Sequence, residues 1–245
     1  ENIWPAMLSN DRQQEILSLL GAVTAVSPDK LAEDGWHRFG GHGWQALSYV
    51  PPDGWPPMPG HGHRDLGGFE LHDGGVPIFV DPGRGSYADS DYEDAAMHNG
   101  VLIDGAGGAP INRAYYAPEF RDRVIRTRPN MQRTRNGSAL HGAGFQHVAG
   151  IETADRGLSI TDCIAGRGRR RIRRQFCTPH PVVRDGDSAI INVGPASYRL
   201  STGSAISFVE MTCWSAYGQG TPGTLIVTET NEELPIDAVA TLERI

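Results

Sequence analysis

The amino-acid sequence predicts an all-β protein, a large antiparallel β-sandwich preceded by a short N-terminal helical segment. Three observations lead there. Glycine (31) and proline (17) together make up about a fifth of the 245 residues, against a usual share of about 12%. Such punctuation leaves long helices only a minority of the chain and excludes a helical bundle or a coiled coil. The apolar runs are short and bounded by Gly, Pro and Asp turns, which is the pattern of strands. No helical pattern is interleaved with them, so the crossovers of a parallel α/β sheet are missing and neighbouring strands are expected to pair antiparallel.

Along the chain, Asn10-Asp11 offers a cap and Ile16, Leu17, Leu19 and Leu20 an apolar face, so a helix is expected over Asp11–Leu20, stopped by Gly21. The helical segment is assigned to residues 1–35 and the sandwich to residues 36–245. Short β runs follow at Trp44–Val50, Phe69–His72, Val76–Val80, Val101–Asp104, Leu158–Ile164, Ile172–Cys177, Ala189–Val193, Tyr198–Ser201, Ile206–Thr212 and Leu225–Thr230, around ten strands. Two segments break the rhythm. Pro51–Gly60 is a stiff Pro-rich loop, and Asn112–Asn136 is an Arg-rich stretch with Tyr115, Tyr116 and Phe120, expected to be a long excursion or partner-facing loop.

A formal net charge of −7 argues against nucleic acid as a partner. The basic run Arg167–Arg174 lies between β runs, so alternation sends its arginines to both faces and into surface ion pairs or contact with a polyanionic ligand. Of the 22 basic residues only Lys30 is a lysine, a bias expected of a genome rich in G and C. No apolar run approaches the roughly 20 residues that cross a bilayer, so no membrane partner is expected. The start, Glu1-Asn-Ile-Trp-Pro, has neither an initiator Met nor a signal pattern, so the chain is expected to be a processed product or part of something longer. Cys163, Cys177 and Cys213 form no CxxC pair and are expected to be buried as small hydrophobes.

The chemistry concentrates in one block. His61, His63 and Asp65 alternate, so an extended chain projects all three to one side. Two imidazoles and a carboxylate beside glycines make a candidate divalent-metal site. Asp81 ends one apolar strand and His98 opens another, and strand ends converge when their strands are neighbours. His37, His42, His72, His141, His147 and His180 have no such context and read as structural.

These residues carry a resemblance. The segments GHGHRDLGGFEL (60–71), GGVPIFVDPG (74–83) and AAMHNGVLIDG (95–105), with tyrosines between the last two, resemble the C-terminal β-sandwich domain of the heparinase II/III family, which includes oligo-alginate lyases. Leu140–Val148, Leu158–Asp162 and Arg171–Pro179 resemble the strands that follow, so the likeness spans most of Phe39–Pro179 and is dense over Gly60–Gly105. It implies Zn²⁺ held by His63, Asp81 and His98. It also implies a substrate-facing histidine at His61 and an active-site tyrosine at Tyr87 or Tyr92, although the segment carrying these tyrosines is short. Asp65 is expected to orient a ligand from behind rather than bind the metal, and Asn99 is placed with it. The implied activity is β-elimination on an acidic, uronate-containing oligo- or polysaccharide, and the implied compartment is periplasmic or extracellular. In the family the other half of the cleft lies on an (α/α) toroid, so a toroid domain or a helical partner chain is expected.

Other readings weigh less. A metallo-β-lactamase-type hydrolase shares HxHxD, but its pattern continues with a histidine where this chain has Leu66. A cupin expects a glutamate soon after HxH, whereas Glu70 lies seven positions beyond His63. A non-catalytic, zinc-stabilised carbohydrate-binding or assembly module, and a lyase-like enzyme acting on a small acidic molecule, stay open.

Overall fold

The structure, a computed structural model, describes residues 27–51, 63–86, 91–108, 130–142 and 144–245, together with Ser18, Pro118 and Glu119. The helix expected over Asp11–Leu20 (Ser18 apart), the Pro-rich loop after Pro51, His61, Tyr87 and most of residues 112–129 lie outside the described residues. A short helix, α1 (Pro28–Glu33), is capped by Ser27, whose Oγ accepts the Lys30 N–H.

The remainder is strand, as the sequence predicts, but with more strands than the ten expected. In chain order these are β1 (Trp36–Gly41), β2 (Trp44–Tyr49), β3 (Phe69–Asp73), β4 (Val76–Phe79), β5 (Gly100–Ile103), β6 (Asn130–Thr134), β7 (Gly137–Gly142) and β8 (Phe145–Ala154). Then come β9 (Gly157–Ala165), β10 (Arg169–Thr178), β11 (Val182–Asp185), β12 (Ser188–Val193), β13 (Ala196–Ser201), β14 (Ile206–Ala216), β15 (Gln219–Glu233) and β16 (Ile236–Arg244). β1, β6, β7, β8, β11 and β16 are the additions, and β6 corrects the reading of Asn112–Asn136 as excursion throughout. Every ladder is antiparallel.

One layer is an eight-stranded sheet ordered β11-β12-β13-β16-β9-β8-β7-β6. Facing it lie two four-stranded sheets, β1-β2-β3-β4 and β14-β15-β10-β5. The core fills the space between. Trp44, Leu71 and Phe79 from the first small sheet and Phe176 and Ile226 from the second meet Ile160, Ile191, Leu200 and Leu242 of the large one. Alternation then decides the other face. On β10, Arg174 and Phe176 point into the sandwich, so Gln175 and Cys177 point outward, where Tyr92 and Met97 cover them. Arg170, in the same basic run, pairs with Asp104 at 3.0 Å. Cys177 and Cys213 are buried free thiols and Cys163 is half-buried, its thiol pushed up to about 11 by a hydrogen bond with Asp237 and by burial.

Candidate functional site

The site forms where the two small sheets meet. β5 accompanies β10 only from Ile172 to Gln175, and beyond it Val80, just past β4, donates its N–H to Cys177 O (3.0 Å). Asn99 fills the junction. Its Nδ2 donates to Phe69 O (2.7 Å) and Val80 O (2.9 Å), and its Oδ1 accepts the Cys177 N–H (2.5 Å). One buried amide thereby satisfies backbone groups on three chain segments that the ladders leave without partners. Gly100 follows with φ 139°, a conformation that a side chain disfavours, and turns the chain into β5.

Asp81 is fixed by its own turn. Its Oδ1 accepts the Gly83 N–H at 2.8 Å, the local bond that makes Asp a turn residue. Gly83 has φ 65°, and a Cβ there would stand 2.7 Å from Trp214 O, so the DPG turn requires its glycine. Asp81 Oδ2 is left to face His98.

His98 is 1% exposed, with Nδ1 2.7 Å from Asp81 Oδ2 and Nε2 3.0 Å from Tyr92 O. A carbonyl only accepts, so Nε2 carries a hydrogen. Nδ1 then meets the carboxylate either protonated or with its lone pair available to a cation. The half-buried His63 ring stands 5.2 Å from that of His98, centroid to centroid. One ligand atom from each of His63, Asp81 and His98 lies within 4.8 Å of the others, so the three form a group able to hold a metal ion. The backbone carbonyl behind His98 is the kind of partner that orients a ligating imidazole, and the donor set suits a borderline divalent cation.

The charges follow from the packing. Burial opposes a charged His98, but the Asp81 hydrogen bond and charge outweigh it and raise the ring above the ordinary imidazole value. Burial also works against the Asp81 carboxylate, and His98 more than compensates, holding it below the usual range. Burial first, and then the charge on His98, lower His63. His63 is therefore the neutral ring, and His98 is the ring that must give up a proton to a metal. Affinity for a divalent metal ion is expected to climb about tenfold per pH unit while His98 is protonated, and to level off above its raised pKa. Calorimetry in buffers of different ionisation enthalpy would show proton release on ion binding at mildly acidic pH that fades as the pH rises. Proton-independent binding would remove Nδ1 from the ligand set.

Several supporting residues were assigned no role from the sequence. Gln175 donates from Nε2 to Ala95 O (2.5 Å) and His98 O (2.6 Å), holding the His98 backbone against the sheet. Arg64, 6% exposed, binds Asp94 at 3.0 Å and donates its N–H to Glu93 O, which ties the His63 segment to the turn Asp91–Glu93. Arg84 pairs with Glu93 at 2.5 Å, and its charge helps lower His63. Glu70 accepts the Asp81 N–H at 3.4 Å.

Of the residues singled out in the sequence, His63, Asp81, His98 and Asn99 come together, Asn99 bonding to backbone rather than to a histidine. Asp65 makes no hydrogen bond to either ring among the described residues and acts on both through its charge. Tyr92 is 8% exposed against Trp214, and its hydroxyl accepts the Thr212 N–H at 2.8 Å. Its carbonyl, not its phenol, meets the site.

The family model described as heparinase II/III-like, C-terminal, matches residues 27–234. Among solved structures, the heparan sulfate lyase HepC from Pedobacter heparinus superimposes with a TM-score of 0.63 at 13% identity, over 86% of this chain and 35% of that chain. A heparinase III structure gives 0.59 at 15% identity, over 86% and 35%. A 4-alpha-glucanotransferase from Thermococcus litoralis gives 0.51 at 10% identity, over 86% and 37%. At these identities the likeness is one of fold, and the chain spans about a third of the length of the lyases it matches. No curated protein matches the sequence.

Proposed function

Because the chain belongs to the heparinase II/III-like C-terminal family, we propose that it is the zinc-holding β-sandwich part of a polysaccharide lyase that cleaves uronate-containing glycans by β-elimination. The observation that carries this reading is the triad His63, Asp81 and His98 on the outer face of a sheet junction, with Arg84 beside it. Removing the C5 proton of a uronate is feasible only when the adjacent carboxylate is neutralised, because a dianionic enolate develops in the transition state. Zn²⁺ bound by the triad supplies positive potential for that purpose. The chain's own residues then bind and orient. His61 faces the carboxylate, and Arg84 adds positive charge beside the triad. A tyrosinate or a neutral histidine must take the C5 proton as the C4–O bond breaks, and a tyrosine or histidine must return a proton to the leaving oxygen. Tyr87 is the candidate for that role, since Tyr92 is buried against Trp214. The rest of the cleft lies on a helical toroid, carried on the same polypeptide or on a partner.

The chain alone is expected to give no unsaturated product from heparan sulfate, alginate or other uronate polymers, and to give it once the helical part is supplied. Robust product absorbance from the chain alone would overturn the split cleft, and none in any combination would overturn the lyase. In the active assembly, His61→Ala is expected to lower kcat by about 10²- to 10⁴-fold.

One observation favours a second reading, a non-catalytic carbohydrate-binding module in which the metal is structural. His98 is buried and the triad joins three separate chain segments. Unchanged turnover of His61→Ala, together with unfolding of His63→Ala, would select it.

A further inference from the structure

On the outer face of the first small sheet, Trp36 of β1 and Tyr49 of β2 stand directly opposite one another, 42% and 41% exposed. Their ring centroids are 5.1 Å apart and their planes tilted by 53°. Neither ring serves the core, because the inward positions of β2 are Trp44, Ala46 and Ser48. Single exposed aromatics are ordinary on protein surfaces, but a cross-strand pair in mutual contact on one face of a sheet is an apolar patch held ready with little side-chain entropy left to lose. Arg38 projects from the same face two residues along β1, exposed and with no hydrogen bond or ion pair among the described residues. A charge on an edge strand also discourages aggregation, but that role does not call for paired rings.

The position is as telling as the composition. Ser48 pairs with Phe69, so Tyr49 sits beside Gly68, whose N–H closes a turn on Asp65 O. That turn carries the chain on from His63. β1 to β4 spans three strand spacings, about 14 Å, and on β4's far side Asp81 ends the chain segment. Between them the outward residues on β3 are Glu70 and His72, with Glu70 hydrogen-bonded to the Asp81 N–H. The paired rings and Asp81 thus lie toward the same end of this sheet, about three strand spacings apart.

We propose that Trp36, Tyr49 and Arg38 form a remote subsite that stacks one ring of an acidic oligosaccharide and pairs with its negative charge, while the reacting end of the same chain lies at His63, Asp81 and His98. The aromatic faces meet the C–H face of the sugar, and the Arg38 guanidinium meets a carboxylate or sulfate. This rests on the glycan reading above and deepens it by giving the substrate a minimum length.

Calorimetric titration of the chain with a heparan sulfate hexasaccharide, an alginate hexasaccharide and the corresponding disaccharides tests it. Trp36→Ala and Tyr49→Ala are each expected to weaken binding of the preferred hexasaccharide about tenfold and to leave disaccharide binding unchanged. Arg38→Gln is expected to weaken the same hexasaccharide. All three side chains are exposed, and an unchanged urea midpoint would show that the variants are folded; Trp36→Gln provides a second variant if the alanine form is not. Hexasaccharide binding that survives Trp36→Ala and Tyr49→Ala overturns the subsite and leaves the lyase reading standing. Failure of the unaltered chain to bind any of these glycans also overturns the subsite, while the lyase reading is decided separately by product formation once the helical part is supplied. Loss of affinity for a helical partner, with glycan affinity retained, would make the pair a protein contact and likewise overturn the subsite.

Discussion

Asp162→Ala is expected to destabilise the protein by about 3–5 kcal/mol, the cost of stranding a buried charge. Asp162 lies on β9, 5% exposed, and holds two partners at once: His147 Nε2 of β8 at 2.8 Å and Arg174 Nε of β10 at 2.7 Å. Arg174 also donates to Ile160 O at 3.0 Å. The guanidinium therefore crosses from one layer to the other and finds its counter-charge inside. Burial pushes the Asp162 carboxyl up, but the His147 hydrogen bond and the Arg174 charge outweigh that and hold it below the usual range. A depressed folded value means that this stabilisation is present above about pH 3.9 and is lost as the pH falls through the folded pKa. Urea unfolding at pH 7 reads the loss directly. Asp162→Asn, which keeps the shape and one acceptor, is expected to lose less. A triple change of His147, Asp162 and Arg174 to apolar residues is expected to recover much of the stability, because no charge is then left unpaired. A loss below about 1 kcal/mol for Asp162→Ala would place the network in contact with water and remove the premise.

That network also marks the limit of what the sequence reveals. His147, Asp162 and Arg174 belong to three strands, and only the register brings them together. His147 carries no motif, and Arg174 closes a basic run whose other members are mostly exposed. The fold class was legible because Ile- and Val-rich alternation, as in Ala189–Val193, has few alternatives once turns bound it. β7 and β16 were not legible, and β8 only through the family likeness of Leu140–Val148. Gly137–Gly142 and Phe145–Ala154 carry Gly and Ala where a strand signal needs branched or aromatic residues. Ile236–Arg244 alternates correctly but uses Ala238 and Ala240 on its inward face. Their placement follows from pairing with stronger neighbours, a tertiary effect that local propensity does not contain. The grouping of His63, Asp81 and His98 was legible because strand-end Asp and His residues flank conspicuous turns, and because those turns resemble a known family. Gln175 and Arg64 were not, since each acts on backbone or a carboxylate far away in sequence, with no spacing to announce it. Tyr92 was picked out by residue type, and the structure adds that its phenol is buried and accepts a backbone N–H.

His98→Ala is expected to abolish stoichiometric Zn²⁺ binding and to destabilise the metal-free protein by about 2–4 kcal/mol. Both effects come from one position. The ring would supply a ligand atom through Nδ1 and satisfies Tyr92 O through Nε2, so its loss removes a donor from the candidate triad and leaves a cavity lined by an unsatisfied carbonyl and the Asp81 carboxylate. Losing a residue behind a ligand commonly costs 10- to 100-fold in metal affinity, and a ligand itself costs at least about 100-fold. The pH dependence of metal-free stability gives an independent check. His98 has a raised folded pKa, so its contribution is fully present below about pH 6.5 and is lost as the pH rises through the folded value. Asp81 has a lowered one, so its share is present above about pH 3.9 and is lost as the pH falls through the folded value. Between those limits the pair stabilises most, and Zn²⁺ is expected to extend the stable range upward in pH by taking the place of the His98 Nδ1 proton. His63→Ala separates the two roles. His63 is half-buried and makes no hydrogen bond to the rest of the junction among the described residues, so its loss should weaken Zn²⁺ binding comparably while costing far less metal-free stability. Equal destabilisation by both variants, measured by urea unfolding in the presence of a chelator, would mean that the fold depends on the two rings alike and that the division between a buried anchor and an outward-facing ligand is wrong.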